Sequence, residues 1–228
     1  MILITTYYIS SNEERNKEIR ECLIKNYQNK YIEKIYLLND DIYNLDFIND
    51  KQNKIIQYII CNDKKYKLKY NDAIKFINEK LQNKICILSN TDIYFDNTLS
   101  KINNKIIYNN CFALLRYDLD INGNKKIFTR FDIPRDDSQD CWIFRSPLNV
   151  DLDKLNFSFG TLGCDSLLAY HISNSGLKLS NPSLDIISLH LHNTEFRTYS
   201  CEDRIHGKYC LIKPCYLGEF PELTFIDY

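Results

Sequence analysis

Glycine is scarce, with 6 residues in a chain of 228. Neither G-x-G-x-x-G nor G-x-x-x-x-G-K-[ST] occurs, which excludes both common glycine-rich phosphate cradles. The 9 cysteines contain no C-x-x-C pair, which excludes zinc-ribbon and thioredoxin-type readings. They are odd in number and scattered, and Cys86 and Cys111 lie inside apolar runs, so they read as reduced, buried small hydrophobes. No apolar run approaches the ~18 residues needed to span a bilayer. The first residues, Met1 to Tyr8, have no basic flank and read as a strand rather than a signal peptide, so a soluble, cytoplasmic protein is expected. Charge of either sign is not in excess, with 29 basic against 30 acidic residues. That balance argues against a nucleic-acid partner, which calls for a strongly basic face.

What is present is ordinary in its totals, with 44% hydrophobic and 26% charged residues. The 17 tyrosines and heavy use of Asn, Ile and Lys read as the bias of an AT-rich genome. No linker, low-complexity segment or repeat interrupts the chain, so 1–228 is expected to form a single domain with a substantial core.

Short apolar runs alternate with amphipathic patterns in the first half. Strands are expected at 2–8, 35–38, 54–61 and 85–88. One helix, capped by Ser10 or Ser11, is expected through residue 28, and another, capped by Asn71, carries Ile74, Ile77 and Leu81 on one face. This alternation implies βαβ crossovers and a largely parallel sheet. The second half reads as more antiparallel, with strands at 112–117, 126–131, 141–145 and 186–190. A helix over 165–174 is closed by Gly176, and the tail after Cys201 is expected to be irregular. The fold class is therefore α/β, with a central mixed, mainly parallel sheet flanked by helices.

In such sheets ligands bind beyond the carboxyl ends of the strands, so the polar residues following each strand carry most weight. Asn90-Thr91-Asp92 follows a buried strand, and its two oxygen-bearing side chains can reach one hard cation if the chain turns there. The same residues also suit a plain turn and helix cap, which spacing alone favours. Gly160-Thr161-Leu162-Gly163-Cys164-Asp165 opens a helix. Its glycines permit close approach of a ligand, and Asp165 is either a base at the helix N-terminus or an ordinary cap. His190-Leu191-His192 ends the last strand. Alternation is taken to turn its imidazoles to opposite faces, so that one of them faces the cleft as a metal ligand. Arg197 and Tyr199 can fold over an anion. Asp140, in the acidic loop before the strand bearing Trp142, is a candidate for holding a hydroxyl-rich ligand or part of a solvated loop.

In their order along the chain these segments resemble small nucleotide-sugar glycosyltransferases of the GT-A type. Asn90-Thr91-Asp92 stands where that superfamily has Asp-x-Asp, Cys164-Asp165 resembles the element bearing the catalytic carboxylate, and the late histidine resembles the C-terminal metal ligand. Segments 90–99, 138–144, 160–168 and 181–199 are similar to a group found in bacteria and large DNA viruses, in the neighbourhood of an algal-virus rhamnosyltransferase domain.

The resemblance implies a GT-A-like, Rossmann-like domain, with 1–100 as nucleotide half and 101–228 as acceptor and catalytic half. It implies transfer from a UDP-sugar to a glycan or glycoprotein, assisted by Mn²⁺ or Mg²⁺, in the host cytoplasm if the chain is viral. Asp92 with His192, or His190, would hold the metal, and Asn90 in place of the usual first Asp weakens the charge there. Arg197 or Arg116 would assist at the diphosphate. Thr5, Thr6, Tyr7, Asn39, Asp40, Lys67 and Tyr70 would line the nucleotide pocket. Asp165 would be the base if the enzyme inverts configuration, with Asp140 as competing candidate for that role or as a ligand to the acceptor. The alternatives are a non-catalytic nucleotide- or carbohydrate-binding module and a sugar nucleotidyltransferase. The second calls for a glycine-rich, basic loop after the first strand, which Thr5 to Ser10 is not.

Overall fold

The computed structural model describes residues 1–48, 54–61, 63, 66–120, 122–192, 194 and 201–228. The apolar run Ile2–Thr5 forms β1, buried throughout, and α1 (Glu13–Gln28) leads from it to β2 (Lys34–Asn39) and β3 (Ile55–Ile59). Helix α2 (Tyr70–Lys80) then returns the chain to β4 (Ile85–Ser89). β1 pairs in parallel with β2 and with β4, and β2 pairs in parallel with β3. The chain thus winds outward from one side of β1 and comes back to its other side, which makes a topological switch point between β1 and β4.

The second half contributes β5 (Ile93–Phe95), α3 (Asn104–Ile107), β6 (Asn110–Leu114), β7 (Tyr117–Leu119), β8 (Lys125–Ile127), β9 (Thr129–Arg130), β10 (Ile133–Pro134) and β11 (Cys141–Arg145). After these come α4 (Cys164–Ser173), β12 (Lys178–Ser180), β13 (Ser188–His190), β14 (Lys208–Leu211) and β15 (Thr224–Asp227). The main sheet has seven strands in the order β12-β6-β11-β4-β1-β2-β3. β11 is its antiparallel member, paired with β4 and β6. The expected α/β class with a mixed, mainly parallel sheet is what forms. A smaller sheet, β5-β13-β7-β8, stands beside it. Among the described residues no helix is long and apolar enough to cross a membrane.

Alternation along each strand divides the core into two layers. Ile2, Ile4, Cys86, Leu88, Trp142 and Phe144 pack on one face with Ile74 and Ile77 of α2 and Leu168 and Ile172 of α4. Leu3, Ile35, Leu37, Ile87 and Ile143 pack on the other with Ile19 and Leu23 of α1.

Two caps differ from expectation. Asn12, rather than Ser10 or Ser11, caps α1 by accepting from Arg15 N. α2 starts at Tyr70 with no side-chain cap. Its entry is set by backbone bonds, Tyr70 N to Phe157 O and Phe159 N to Leu68 O, which draw Tyr70 into the core. The tail is not irregular throughout: β14 and β15 form an antiparallel hairpin, and Tyr209, Cys210 and Ile212 are buried in the same layer as α4. Its strands are four residues each, too short for their alternation to stand out on either side of the segment that carries Pro214 and Pro221.

Gly163 sits at the N-cap of α4 with φ of 85°. A Cβ there would overlap the Tyr209 hydroxyl, so this glycine serves the packing of β14 on the start of α4. Gly163→Ala combines left-handed strain with overpacking and is expected to cost about 3 kcal/mol. Urea unfolding checks this, and an unchanged midpoint contradicts it.

Candidate active site and metal centre

β4 delivers Ser89 to the middle of the carboxyl edge, and the chain turns at once, with Asn90 N bonded to Asp140 O at 3.0 Å and Ile93 N to Asn90 O at 3.4 Å. Asp92 follows the turn and is buried at 8% exposure. Three cationic or imidazole nitrogens converge on its Oδ2. Arg15 Nη2 lies at 2.5 Å, His190 Nε2 at 3.3 Å and His192 Nδ1 at 3.5 Å. One ligand atom from each of Asp92, His190 and His192 lies within 4.8 Å of the others, the spacing a bound cation requires.

Both histidines therefore face Asp92, which corrects the expectation that only one would. Residues two apart on an extended chain share a face, and the intervening Leu191 turns the other way, to pack with Leu189, Cys22 and Tyr94. The backbone bond from Leu191 N to Asp92 O, 2.9 Å, holds the two segments side by side.

Burial alone would raise Asp92, but His190, His192 and Arg15 outweigh it and hold the carboxyl well below its usual range. Burial would lower His190, yet Asp92 and Asp118 prevail and raise it to about 9. Arg15 is raised too, with Asp92 and Glu18 overcoming its own desolvation.

Arg15 and Glu18 belong to a polar stripe on α1. Glu18 accepts from Arg15 Nη1 at 3.0 Å and from Thr194 N at 3.0 Å, while Arg15 Nη1 reaches Leu191 O at 3.4 Å. Lower on the same stripe, Asn26 Nδ2 bonds Ile93 O at 2.8 Å and Asn29 Nδ2 bonds Phe95 O at 2.9 Å. These side chains occupy the open edge of β5. The helix that fills one core layer thus also fixes β5 and the histidine segment on either side of Asp92.

A second group lies across the edge. Asp140 precedes β11, and its Oδ1 accepts from Asn90 Nδ2 at 2.9 Å while its Oδ2 accepts from Arg116 Nη1 at 3.1 Å. Asp165 lies in the first turn of α4, bonded by Cys164 Sγ at 3.3 Å. Burial first, and then the negative charge of Asp140, raises the Asp165 carboxyl well above its usual range. Arg116 also approaches Asp118 at 3.4 Å, so a continuous polar chain runs Asp92, His190, Asp118, Arg116, Asp140, Asn90.

Several candidates are placed differently from expectation. The Asn90 amide is turned to Asp140 instead of joining Asp92. Tyr70 is core, stacked on Phe159 with ring centres 3.9 Å apart. Asn39 is a brace: its Oδ1 accepts from Tyr7 N at 2.8 Å and Thr6 Oγ1 at 3.4 Å, and its Nδ2 donates to Gln57 at 3.1 Å. Tyr7 packs against Tyr43 and Phe47, and Asp40 accepts from the Tyr43 hydroxyl at 2.7 Å. Lys67 is exposed. Thr5 Oγ1, at the end of β1, is buried and makes no hydrogen bond among the described residues. Arg197 and Tyr199 lie outside the described residues.

Arg15, Glu18 and Asp118 take part without having been anticipated. The signal for the first two is that Arg15, Glu18, Cys22 and Asn26 recur at helical spacing on a face that is buried although polar. Compared with known protein families and with curated protein sequences, the chain matches none.

Two outcomes test this geometry. Arg15→Met leaves a buried carboxylate without its closest cation and is expected to lose about 3 kcal/mol in urea unfolding with EDTA. Stability equal to the parent protein would contradict the assignment. Asp165 must be protonated or pay a desolvation penalty in the fold, whereas the unfolded chain ionises it near roughly pH 4. The penalty therefore accumulates as pH rises from there through the raised folded value, so Asp165→Asn is expected to match the parent at pH 4 and exceed it in stability increasingly toward neutrality. A gain independent of pH would refute this.

Proposed function

We propose that this chain is a metal-assisted glycosyltransferase of the GT-A type, moving a sugar from a UDP-sugar to a glycan or glycoprotein hydroxyl. The observation that carries the reading is the convergence of Asp92, His190 and His192 just beyond β4, beside the switch point of the sheet. The donor set fits a divalent ion: one oxygen of an ionised carboxylate and one nitrogen from each of two imidazoles. This mixture suits a first-row transition ion such as Mn²⁺ better than Mg²⁺, which prefers oxygen alone. When bound, the ion would supply Lewis-acid neutralisation of the departing diphosphate.

The remaining work falls to the chain's own groups. Asp165 accepts the proton of the acceptor hydroxyl as the new bond to the anomeric carbon forms and the bond to phosphate breaks. Its raised affinity for protons makes it a stronger base once ionised. Asp140 has both oxygens engaged, by Asn90 and Arg116, which suits it to orienting an acceptor and leaves the proton to Asp165. Thr5 Oγ1 offers unused hydrogen-bonding capacity at the end of β1, where the nucleotide would lie. Asn39 supports that edge from within the fold.

UDP is expected to raise the melting temperature in the presence of Mn²⁺ and not in EDTA. UDP release from a panel of UDP-sugars should fall at least about a hundredfold in Asp92→Ala, and the rate should climb with pH through the raised titration of Asp165. Binding of UDP without turnover of any sugar would instead support a non-catalytic module. Turnover that survives Asp92→Ala would sink the metal-assisted reading.

A further inference from the structure

Asp118 lies on β7, and the parallel pairing of β13 with β7 sets it directly opposite His190. Its Oδ1 is 2.9 Å from His190 Nδ1, the ring nitrogen other than the one that faces Asp92. A carboxylate can only accept, so Asp118 keeps a proton on Nδ1, and Nε2, 3.3 Å from the Asp92 carboxylate, is the nitrogen left to give up its proton and turn a lone pair to a cation. Antiparallel pairing on the other side sets His190 opposite Ile93, one residue beyond Asp92. The imidazole is thus held by register on both strands and by a hydrogen bond at its far nitrogen. Arg116 Nε lies 3.4 Å from the same Asp118 oxygen, an ion-pair contact, and Nη1 of the same guanidinium bonds Asp140.

We propose that Asp118 is a positioning residue for the metal centre: it acts through His190, setting the tautomer and aim of the ring, and so determines how tightly the site holds a divalent ion. This inference rests on the metal reading above and adds a residue that coordinates nothing itself. Carboxylates behind ligating histidines raise the basicity of the ligand and restrict its rotation, and their loss costs roughly 10–100-fold in metal affinity. Asp118 keeps 41% of its side chain exposed, so water substitutes for it in part and the lower end of that range applies.

The experiment is titration of the whole chain with Mn²⁺, following free ion by electron paramagnetic resonance, for the parent, Asp118→Ala, Asp118→Asn and His190→Ala. Asp118→Ala should bind about tenfold more weakly. Asp118→Asn, whose amide oxygen still accepts from Nδ1, should recover much of that loss, and the Co²⁺-loaded protein should show the same ranking in its visible absorption. A purely architectural role would lower the melting temperature of both variants without this ranking. If Asp118→Ala fails to fold, a smaller loss in Asp118→Asn supports the role and parent-like affinity overturns it. Loss of Mn²⁺ in His190→Ala together with unchanged affinity in both Asp118 variants overturns this inference alone. Failure of the parent to bind Mn²⁺, or binding indifferent to His190→Ala, overturns the metal reading and this inference with it.

Discussion

A buried carboxylate has to be matched by positive charge, and Asp92 imposes that condition on everything around it. A lone ionised carboxyl in this position would cost several kcal/mol in lost hydration. Arg15 from α1 and both imidazoles from the end of β13 gather on one of its oxygens to offset that cost. Three distant parts of the chain are thereby brought together, and the secondary bonds follow from them: Glu18 neutralises Arg15 and holds Thr194, and Asp118 accepts from the back of His190. Because Asp92 sits just past the central strand β4, this concentration of charge lies where an α/β sheet presents its ligand.

The second carboxylate pair obeys the opposite logic. Arg15 and the two histidines hold Asp92 low, while burial and then the nearby Asp140 raise Asp165. Two carboxyl groups connected through Arg116 and Asp140 and driven in opposite directions by their surroundings are what acid–base chemistry beside a bound cation calls for. The Asp165 arrangement works against stability, and such arrangements persist where a function needs them. Arg116 is the link, since it touches both Asp118 and Asp140 and so lies between the groups that set the cation and the groups that set the proton.

Much of this was legible in the sequence, and the parts that were not share a cause. β4 and β11 are continuous apolar runs with polar punctuation, and their residues fall where periodicity puts them. Asp92, His190 and His192 were legible because each lies at or just past a strand end and each is a strong ligand type. The two-residue period of an extended chain places 190 and 192 on one side, contrary to the expectation that alternation separates them. Asn39, Tyr7 and Tyr70 occupy the expected edge, yet they are consumed by the fold, one bracing three strand ends and the others packed in the core. Nothing local distinguishes a strand-end asparagine that waits for a ligand from one that already has its partners. Arg15 and Glu18 look like an ordinary solvated pair three residues apart on a helix until the burial of that face is known. Asp118 owes its place to strand register between segments more than 70 residues apart in sequence, a tertiary relation that no window of sequence contains.

In the function proposed above, Asp92, His190 and His192 hold one divalent ion against a nucleoside diphosphate. The most direct measurement is anomalous diffraction at the manganese edge from crystals of the chain grown with Mn²⁺ and UDP. A single strong peak is expected, coordinated by the Asp92 carboxylate and both imidazoles, with diphosphate oxygens completing the shell and Arg15 still bonded to Asp92. A manganese peak elsewhere, or ordered UDP beside an Asp92 that keeps only Arg15 and the two histidines as partners, would contradict it.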